Sequence, residues 1–202
     1  SMNGIISVYG KSGHSAFFGS YINPCTTLAN IITKLKSSPL DNGTKYMPPS
    51  NLEFTKMNVE NLSENVVPQI ASAKFNVRFN TKYKSSALKI KLNKIISSVA
   101  KKHKCRVKIE FRVSGEAFYT EPNKDIHMVK SIVKKVTGLS AKLNCRGGTS
   151  DSRFLGSIPR LELGLRNNSI HQVNERSSIS DLKKLTLIYS NILKNYFKWV
   201  PA

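Results

Sequence analysis

Between Ala71 and Asn80 the chain alternates without a break. Ala71, Ala73, Phe75, Val77 and Phe79 are apolar, and Ser72, Lys74, Asn76, Arg78 and Asn80 stand between them. Successive side chains of a strand point to opposite faces, so this period of two predicts a strand with one dry and one wet side. A sheet built on such a strand needs an apolar cover on one face only. Two helical stripes could supply it: Leu28, Ile31, Ile32 and Leu35, opened by Asn23 as cap and Pro24 at the first position, and Leu88, Leu92, Ile95, Ile96 and Val99, opened by Ser85 and Ser86.

Three further strands complete the set: Gly4 to Gly10, Leu52 to Met57, and an alternation of Cys105, Val107, Ile109, Phe111 and Val113. Between the first helix and the second strand, Pro39, Asp41-Asn42-Gly43 and Pro48-Pro49 mark a loop. The order is βαββαβ, which folds most simply as an antiparallel sheet with both helices on one side, a ferredoxin-like sandwich over residues 4–115. Past Gly115 the texture changes. A helix with Ile126, Val129, Val133 and Val136 ends at Gly138, and a short apolar strand is expected at Arg160 to Gly164. A last helix, capped by Ser180 with Asp181 at its positive end, carries Leu182, Leu185, Tyr189, Ile192, Leu193 and Tyr196. Residues 116–202 would bury little alone and are expected to be part of a larger α/β domain.

The formal net charge of +20 raises the question of a nucleic-acid or anionic-membrane partner. Its distribution argues for a solvated surface instead. Residues 1–115 carry 18 basic and 5 acidic side chains and residues 116–202 carry 14 and 7, with no basic tail, and Lys89, Lys91 and Lys94 fall between apolar helix positions. A basic RNA-binding module is the remaining alternative of that class. Such modules stack bases on exposed strand aromatics, whereas Phe75, Phe79 and Phe111 share the dry side. No run of about eighteen apolar residues occurs and the start is not a signal peptide, so a soluble, cytoplasmic chain is expected, with Ser1-Met2 as the remnant of a cleaved tag. Cys25, Cys105 and Cys145 are widely spaced and form no Cys-x-x-Cys pair, which suggests reduced thiols.

Three segments could carry chemistry. Gly10-Lys11-Ser12-Gly13-His14 follows the first strand and either presents an imidazole at a loop tip or is a surface turn with an incidental histidine. Gly147-Gly148-Thr149-Ser150-Asp151-Ser152-Arg153-Phe154 offers amides and hydroxyls for a carboxylate or oxyanion, or is a turn with a Ser or Asp cap. Asn167-Asn168-Ser169-Ile170-His171-Gln172-Val173-Asn174-Glu175 sets a histidine in a polar loop, as a metal ligand or as nothing.

These three segments in this order resemble the succinyl-diaminopimelate desuccinylases, zinc-dependent amide hydrolases of the aminoacylase/carboxypeptidase superfamily. Ile22-Asn23-Pro24, Tyr46-Met47-Pro48-Pro49, Asn65-Val66-Val67-Pro68 and Asn76-Val77-Arg78-Phe79 extend the match over essentially the whole chain. The resemblance implies a dimerisation or lid domain at 4–115 and the C-terminal segment of a catalytic domain at 116–202. It implies that His171 is the terminal ligand of one of two zinc ions, and that His14 reaches the partner subunit's active site to stabilise the oxyanion. Asn65, Arg78, Gly148, Thr149 and Asn167 would hold the substrate's carboxylates and amide. Phe17 stands where the family commonly has tyrosine.

Sister enzymes of the superfamily, such as acetylornithine deacetylases, acylases and carboxypeptidases, share lid and scaffold, and the Gly-Gly-Thr-Ser-Asp-Ser-Arg-Phe string and Arg78 favour the desuccinylases. The family's His-x-Asp motif, adjacent glutamates and further acidic ligand are missing from this sequence. The expectation is therefore a fragment lacking the N-terminal metal-binding half, inactive and weak in zinc binding alone, which still forms a homodimer through its lid. His103 and His127 match no functional position.

Overall fold

The computed structural model describes residues 1–61, 63–145, 147–148, 150–166 and 168–198. The chain divides into two compact units, one of Ser1–Tyr119 with Cys145–Phe154 and one of Thr120–Asn144 with Leu155–Ala202.

In the first unit the βαββαβ order is present: β1 (Met2–Tyr9), a two-residue strand β2 (Gly13–His14), α1 (Pro24–Ser37), β3 (Asn51–Asn58), a second two-residue strand β4 (Val66–Val67), β5 (Ile70–Arg78), α2 (Ser85–Lys102) and β6 (Arg106–Val113). β3, β5, β1 and β6 lie side by side in that order, all neighbours antiparallel, and β2 and β4 form a separate ladder. This is the ferredoxin-like arrangement expected from the periodicities. α1 and α2 close one face, where Ile6, Val8, Leu28, Ile31, Leu88, Leu92 and Ile96 join Ala71, Phe75 and Val77 in a single core.

Phe75 is the largest fully buried side chain in that core, 1% exposed. Gly4 lies opposite it on β1, and a β-carbon built on Gly4 would fall 2.0 Å from Cζ of the Phe75 ring. Glycine is needed here for space. The ring lies in the notch, with Phe111 edge-on at a centroid distance of 6.2 Å and Phe54 tilted at 5.9 Å. The aromatic row therefore crosses all four strands, Phe54 on β3, Phe75 on β5, the gap at Gly4 on β1 and Phe111 on β6.

A polar knot ties the loop after α1 to the end of β5. Asp41 Oδ1 accepts from the Gly43 amide at 2.7 Å, the Asn80 carboxamide at 2.7 Å and the Ser50 amide at 3.2 Å. Burial alone would raise the Asp41 carboxyl, but the hydrogen bonds from Ser50, Gly43 and Asn80 outweigh it and hold the group below its usual range. The Tyr83 hydroxyl and the Lys91 ammonium both donate to the Leu40 carbonyl beside it.

The helix ends differ in part from expectation. Asn23 does cap α1, its Oδ1 accepting from the Cys25 amide at 2.9 Å. α2 has no side-chain cap from the residue before it; instead Glu116, distant in sequence, accepts from the Ser85 amide at 3.0 Å and from the Ser85 hydroxyl. A carboxylate at a helix N-terminus satisfies free amides and meets the positive end of the helix dipole.

The second unit contains α3 (Lys124–Thr137) packed against α4 (Ile179–Phe197). α3 is capped by Asn123 and ends on Gly138 with φ +74°. Ile132, outside the expected stripe, is buried with Ile126, while Val129, Val133 and Val136 are only partly covered. The cap of α4 is Ser178 rather than Ser180: its hydroxyl accepts from the Asp181 amide, three residues on, as a cap at N0 must. The strand expected at Arg160 to Gly164 is absent, because no described strand lies alongside to complete a ladder. Its backbone is held by side chains, the Arg160 amide donating to Thr120 Oγ1 and the Leu163 carbonyl accepting from the Tyr189 hydroxyl. From residue 116 on, Ile126, Ile132 and Ile188 are the buried apolar side chains among the described residues. No helix of the described residues is long and apolar enough to cross a membrane.

Two outcomes follow from the core and the knot. Gly4→Ala drives a methyl into the Phe75 ring and should destabilise by about 1–3 kcal/mol, the scale of overpacking, with part of the loss recovered in the Gly4→Ala, Phe75→Leu double variant. Additive losses in urea melts of the four proteins would mean the two residues do not share the notch. For Asp41, a folded-state pKa below the unfolded value adds stability that is complete above about pH 4 and disappears as pH falls through the lower, folded value. Asp41→Asn should thus be less stable than the parent at neutral pH, with the gap closing in acid; a gap independent of pH would contradict the ionised knot.

Candidate functional site

The β2–β4 ladder pairs His14 with Val66 and Gly13 with Val67. It carries the segment after β1 across to the segment before β5, and so brings together two residues 51 positions apart. His14 Nε2 lies 3.3 Å from the Asn65 carboxamide nitrogen, and the Ser15 amide donates to the Asn65 carbonyl at 2.8 Å. On the other side of the ring the Ala16 amide donates to His14 Nδ1 at 3.1 Å. Phe17 stands edge-on to the imidazole at a centroid distance of 5.6 Å, and its own amide donates to the His14 carbonyl. The imidazole is exposed, and the loop beyond it ends in Phe18, 95% exposed and set edge-on to Tyr21. Gly10-Lys11-Ser12-Gly13-His14 is thus an ordered tip presenting a ring.

Glycine at position 10 is required by close approach, since a β-carbon there would fall 2.1 Å from the Ile22 carbonyl oxygen. Lys11 and Ile22 bridge through both backbone bonds, which closes the loop at its base. The signal that sequence reading missed is the Ala16 amide. A backbone donor has no residue-type signature, and only the turn after His14 aims it at Nδ1.

Arg78 lies at the other end of β5, opposite Asn51 of β3, on the face away from the helices and exposed. Eight strand steps separate it from Ile70, about 26 Å at 3.3 Å per residue. Within one chain it does not join His14 and Asn65. Its neighbourhood is the Gly115 turn. The Ser1 amine donates to the Gly115 carbonyl at 2.8 Å and is held below the usual amine range by burial first, then by the Arg78 and Arg153 guanidiniums, against the opposing pull of Glu116.

The Gly147-Gly148 segment belongs to this same first unit. Gly147 has φ +129°, a conformation that favours glycine, and Gly148 is exposed. Ser150 caps the single 3-10 turn of Asp151–Phe154: its hydroxyl accepts from the Ser152 amide, and its carbonyl accepts from the Arg153 amide and Nη1. Arg153 stacks over Phe154 at 4.4 Å, and its side chain covers Gly115, where a β-carbon would meet Cδ at 3.0 Å. Locally this is a capped turn pinned by an arginine. Thr149 and Asn167 lie outside the described residues.

His171 is in the second unit, in the turn between Asn168 and Asn174. It is exposed, adopts φ +58°, uncommon for a residue with a side chain, and its amide donates to Glu175 Oε2 at 3.2 Å. Among the described residues no three His, Cys, Asp or Glu side chains come together as a metal cluster. The described residues do not fit a complete zinc site: His171 could supply one ligand, and four-coordinate zinc needs three protein ligands even when one position stays open. His103 packs at the end of α2 against Asn30, and Cys105 is buried with its sulfur 3.2 Å from Thr27 Oγ1.

Comparisons with known proteins bear on the whole chain. A succinyl-diaminopimelate desuccinylase from Pelagibacter ubique is 50% identical over 198 residues, which is 98% of this chain and 52% of the relative. One from Rhodopseudomonas palustris is 39% identical over 200 residues, 98% of this chain and 51% of the relative. The chain thus spans about half the length of the curated relatives it matches. Among solved structures, a tripeptidase from Staphylococcus aureus superposes with a TM-score of 0.80 at 19% identity, over 98% of this chain and 52% of that one. An aminopeptidase from Bacillus cereus gives 0.74 at 18%, over 96% and 51%. At such identities the structures speak for the fold alone. Residues 1–104 match the model of the peptidase dimerisation domain, a span that contains β1, β3 and β5 of the sheet, both helices and the His14 ladder and ends just before β6. The chain is a homologue of the succinyl-diaminopimelate desuccinylases, and it belongs to the peptidase dimerisation domain family.

Proposed function

We propose that this chain supplies the lid, residues 4–115, and the C-terminal segment of the catalytic domain, residues 116–202, of a zinc-dependent enzyme. That enzyme removes succinate from N-succinyl-L,L-diaminopimelate in the cytoplasm, on the route to diaminopimelate and lysine. The reading rests above all on the 50% identity that runs through nearly the whole chain, His14, Arg78 and His171 segments included. In it His14 stabilises the oxyanion, and Asn65, Arg78, Gly148, Thr149 and Asn167 hold the substrate. His171 gives one zinc ligand. Zinc would supply a Lewis acid and an activated water when bound, and no cluster of His, Cys, Asp or Glu that could complete its coordination occurs among the described residues.

The length of β5, about 26 Å from Ile70 to Arg78, supports a homodimer, because one lid cannot aim both ends at one substrate, whereas a second copy can bring its His14 loop to the first copy's Arg78. Arg78 suits a carboxylate: its planar fork gives two parallel hydrogen bonds where a lysine would give a point charge. β3 and β6 are the free edges of the sheet, and a bulge after Phe54 interrupts β3.

A chimera tests the activity. The N-terminal half of the Pelagibacter ubique relative joined to this chain and loaded with zinc should hydrolyse N-succinyl-diaminopimelate in preference to acetylornithine or dipeptides, and a chelator should abolish turnover, while this chain alone should be inert. Arg78→Ala in the chimera should lower kcat/KM by about 1.5–3 kcal/mol with folding and zinc content retained, and Arg78→Lys should recover part. Preference for another acyl substrate would overturn the assignment. Association is tested separately: sedimentation of this chain at tens of micromolar, about the range where a specific interface is populated, should show a dimer, and a monomer at every concentration would count against the lid interface.

A further inference from the structure

An imidazole that stabilises an oxyanion must offer a proton, and a neutral ring carries its proton on only one of its two nitrogens. Which one is set by the hydrogen bond made by the other. At His14 the deciding contact is the Ala16 amide, 3.1 Å from Nδ1. A backbone N–H can only donate, so Nδ1 must present its lone pair. The proton of the neutral ring is then on Nε2.

We infer that the turn after His14 locks its ring as the Nε2–H tautomer, with Asn65 as the positioning residue that holds this donor at the loop tip. This deepens the proposed function, in which His14 acts as a hydrogen-bond donor. Nε2 lies 3.3 Å from the Asn65 carboxamide. Two N–H groups facing each other would repel, so in the resting loop the carboxamide turns its oxygen to the ring, the orientation that the hydrogen-bond network dictates. Asn65 is itself fixed, its carbonyl accepting from the Ser15 amide at 2.8 Å, and Phe17 borders the ring edge-on. Both sides of the imidazole are thus held by groups within the same small ladder. When an acceptor from a substrate arrives, it takes over the Nε2–H bond from the Asn65 oxygen, and no proton has to move within the ring first.

His103 shows that the arrangement is specific. There the Asn30 carboxamide nitrogen donates to the Thr26 carbonyl at 3.0 Å, so its N–H side faces His103 Nε2 at 3.3 Å and the lone pair is at Nε2. The two histidines should carry their protons on opposite nitrogens.

Long-range proton–nitrogen NMR correlation on the 15N-labelled 202-residue chain at about pH 9, above the ordinary imidazole range, reads the tautomers directly. His14 should show a pyridine-type Nδ1 and a pyrrole-type Nε2 with no detectable exchange average. Asn65→Ala should keep Nδ1 pyridine-type, through Ala16, but broaden the Nε2 signal as the ring gains freedom. Ala16→Pro, which deletes the amide, should return His14 to a tautomer mixture while the His103 signals and the sheet amides stay in place. An Nδ1–H ring, or a mixture in the parent chain like that of a free imidazole, would overturn the inference. So would an Ala16→Pro spectrum with the sheet intact and His14 still locked; if Ala16→Pro fails to fold, the parent and Asn65→Ala spectra decide alone. No substrate is needed, so a locked ring in a chain whose chimera fails to hydrolyse N-succinyl-diaminopimelate would sink the proposed function and leave the tautomer lock standing.

Discussion

The Phe75 ring in the notch at Gly4 is the contact on which the first unit depends. Four strands that meet only through backbone ladders could slip by two residues without exchanging their dry and wet faces, so the alternating pattern alone does not fix register. The notch removes that freedom. Only one residue of β1 lacks a β-carbon on the inner face, and it must lie opposite the ring; Phe54 and Phe111 then take the flanking positions in their own strands. With register set, the dry residues meet α1 and α2, and the core of Ile6, Val8, Leu28, Ile31, Leu88, Leu92 and Ile96 follows.

Register also decides what the ends of the sheet can do. At the Tyr9 and Ile70 end, β1 and β5 release their chains side by side, and the β2–β4 ladder forms from the first residues beyond them, placing His14 against Asn65. At the opposite end, Arg78 leaves β5 near the Gly115 turn, where Arg153 and Glu116 gather and Glu116 caps α2. Two chemically distinct ends separated by the length of a strand are what a lid shared between two copies would use. One end is a loop with a polar ring and exposed phenylalanines, and the other brings the Arg78 and Arg153 guanidiniums near Glu116.

The second unit is held differently. Its helices bury three isoleucines among the described residues, and the stripe of α4 that periodicity marks as apolar leaves Leu182, Tyr189, Leu193 and Tyr196 exposed. Burial of apolar area is the main favourable term in folding, so this unit draws less stability from its own packing than the first. Its backbone is satisfied by hydroxyls from Thr120 and Tyr189 where a sheet would have used a neighbouring strand.

The sequence by itself determined the four strands of the main sheet and the two helices of the first unit, because periods of 2 and 3.6 are properties of the backbone that side chains can only follow or violate; β5, α1 and α2 are where the pattern of Ala71 to Phe79, Asn23-Pro24 and Leu88 to Val99 puts them, whereas the short β2–β4 ladder carries no such pattern. It also determined the family, through motifs quoted residue by residue. Its failures came where an interaction is not local. A strand at Arg160 to Gly164 needs a partner that residue preference cannot see, α2 borrows its cap from Glu116 across 31 positions, and the cap of α4 is Ser178 because the hydroxyl two residues earlier is the one aimed at the Asp181 amide. His14 and Asn65 were each legible, but not as a pair. Only the tertiary structure decided that they touch, that Arg78 stands a strand's length away, and that a backbone amide faces Nδ1, since each of these depends on where antiparallel pairing returns the chain and not on which residues it contains.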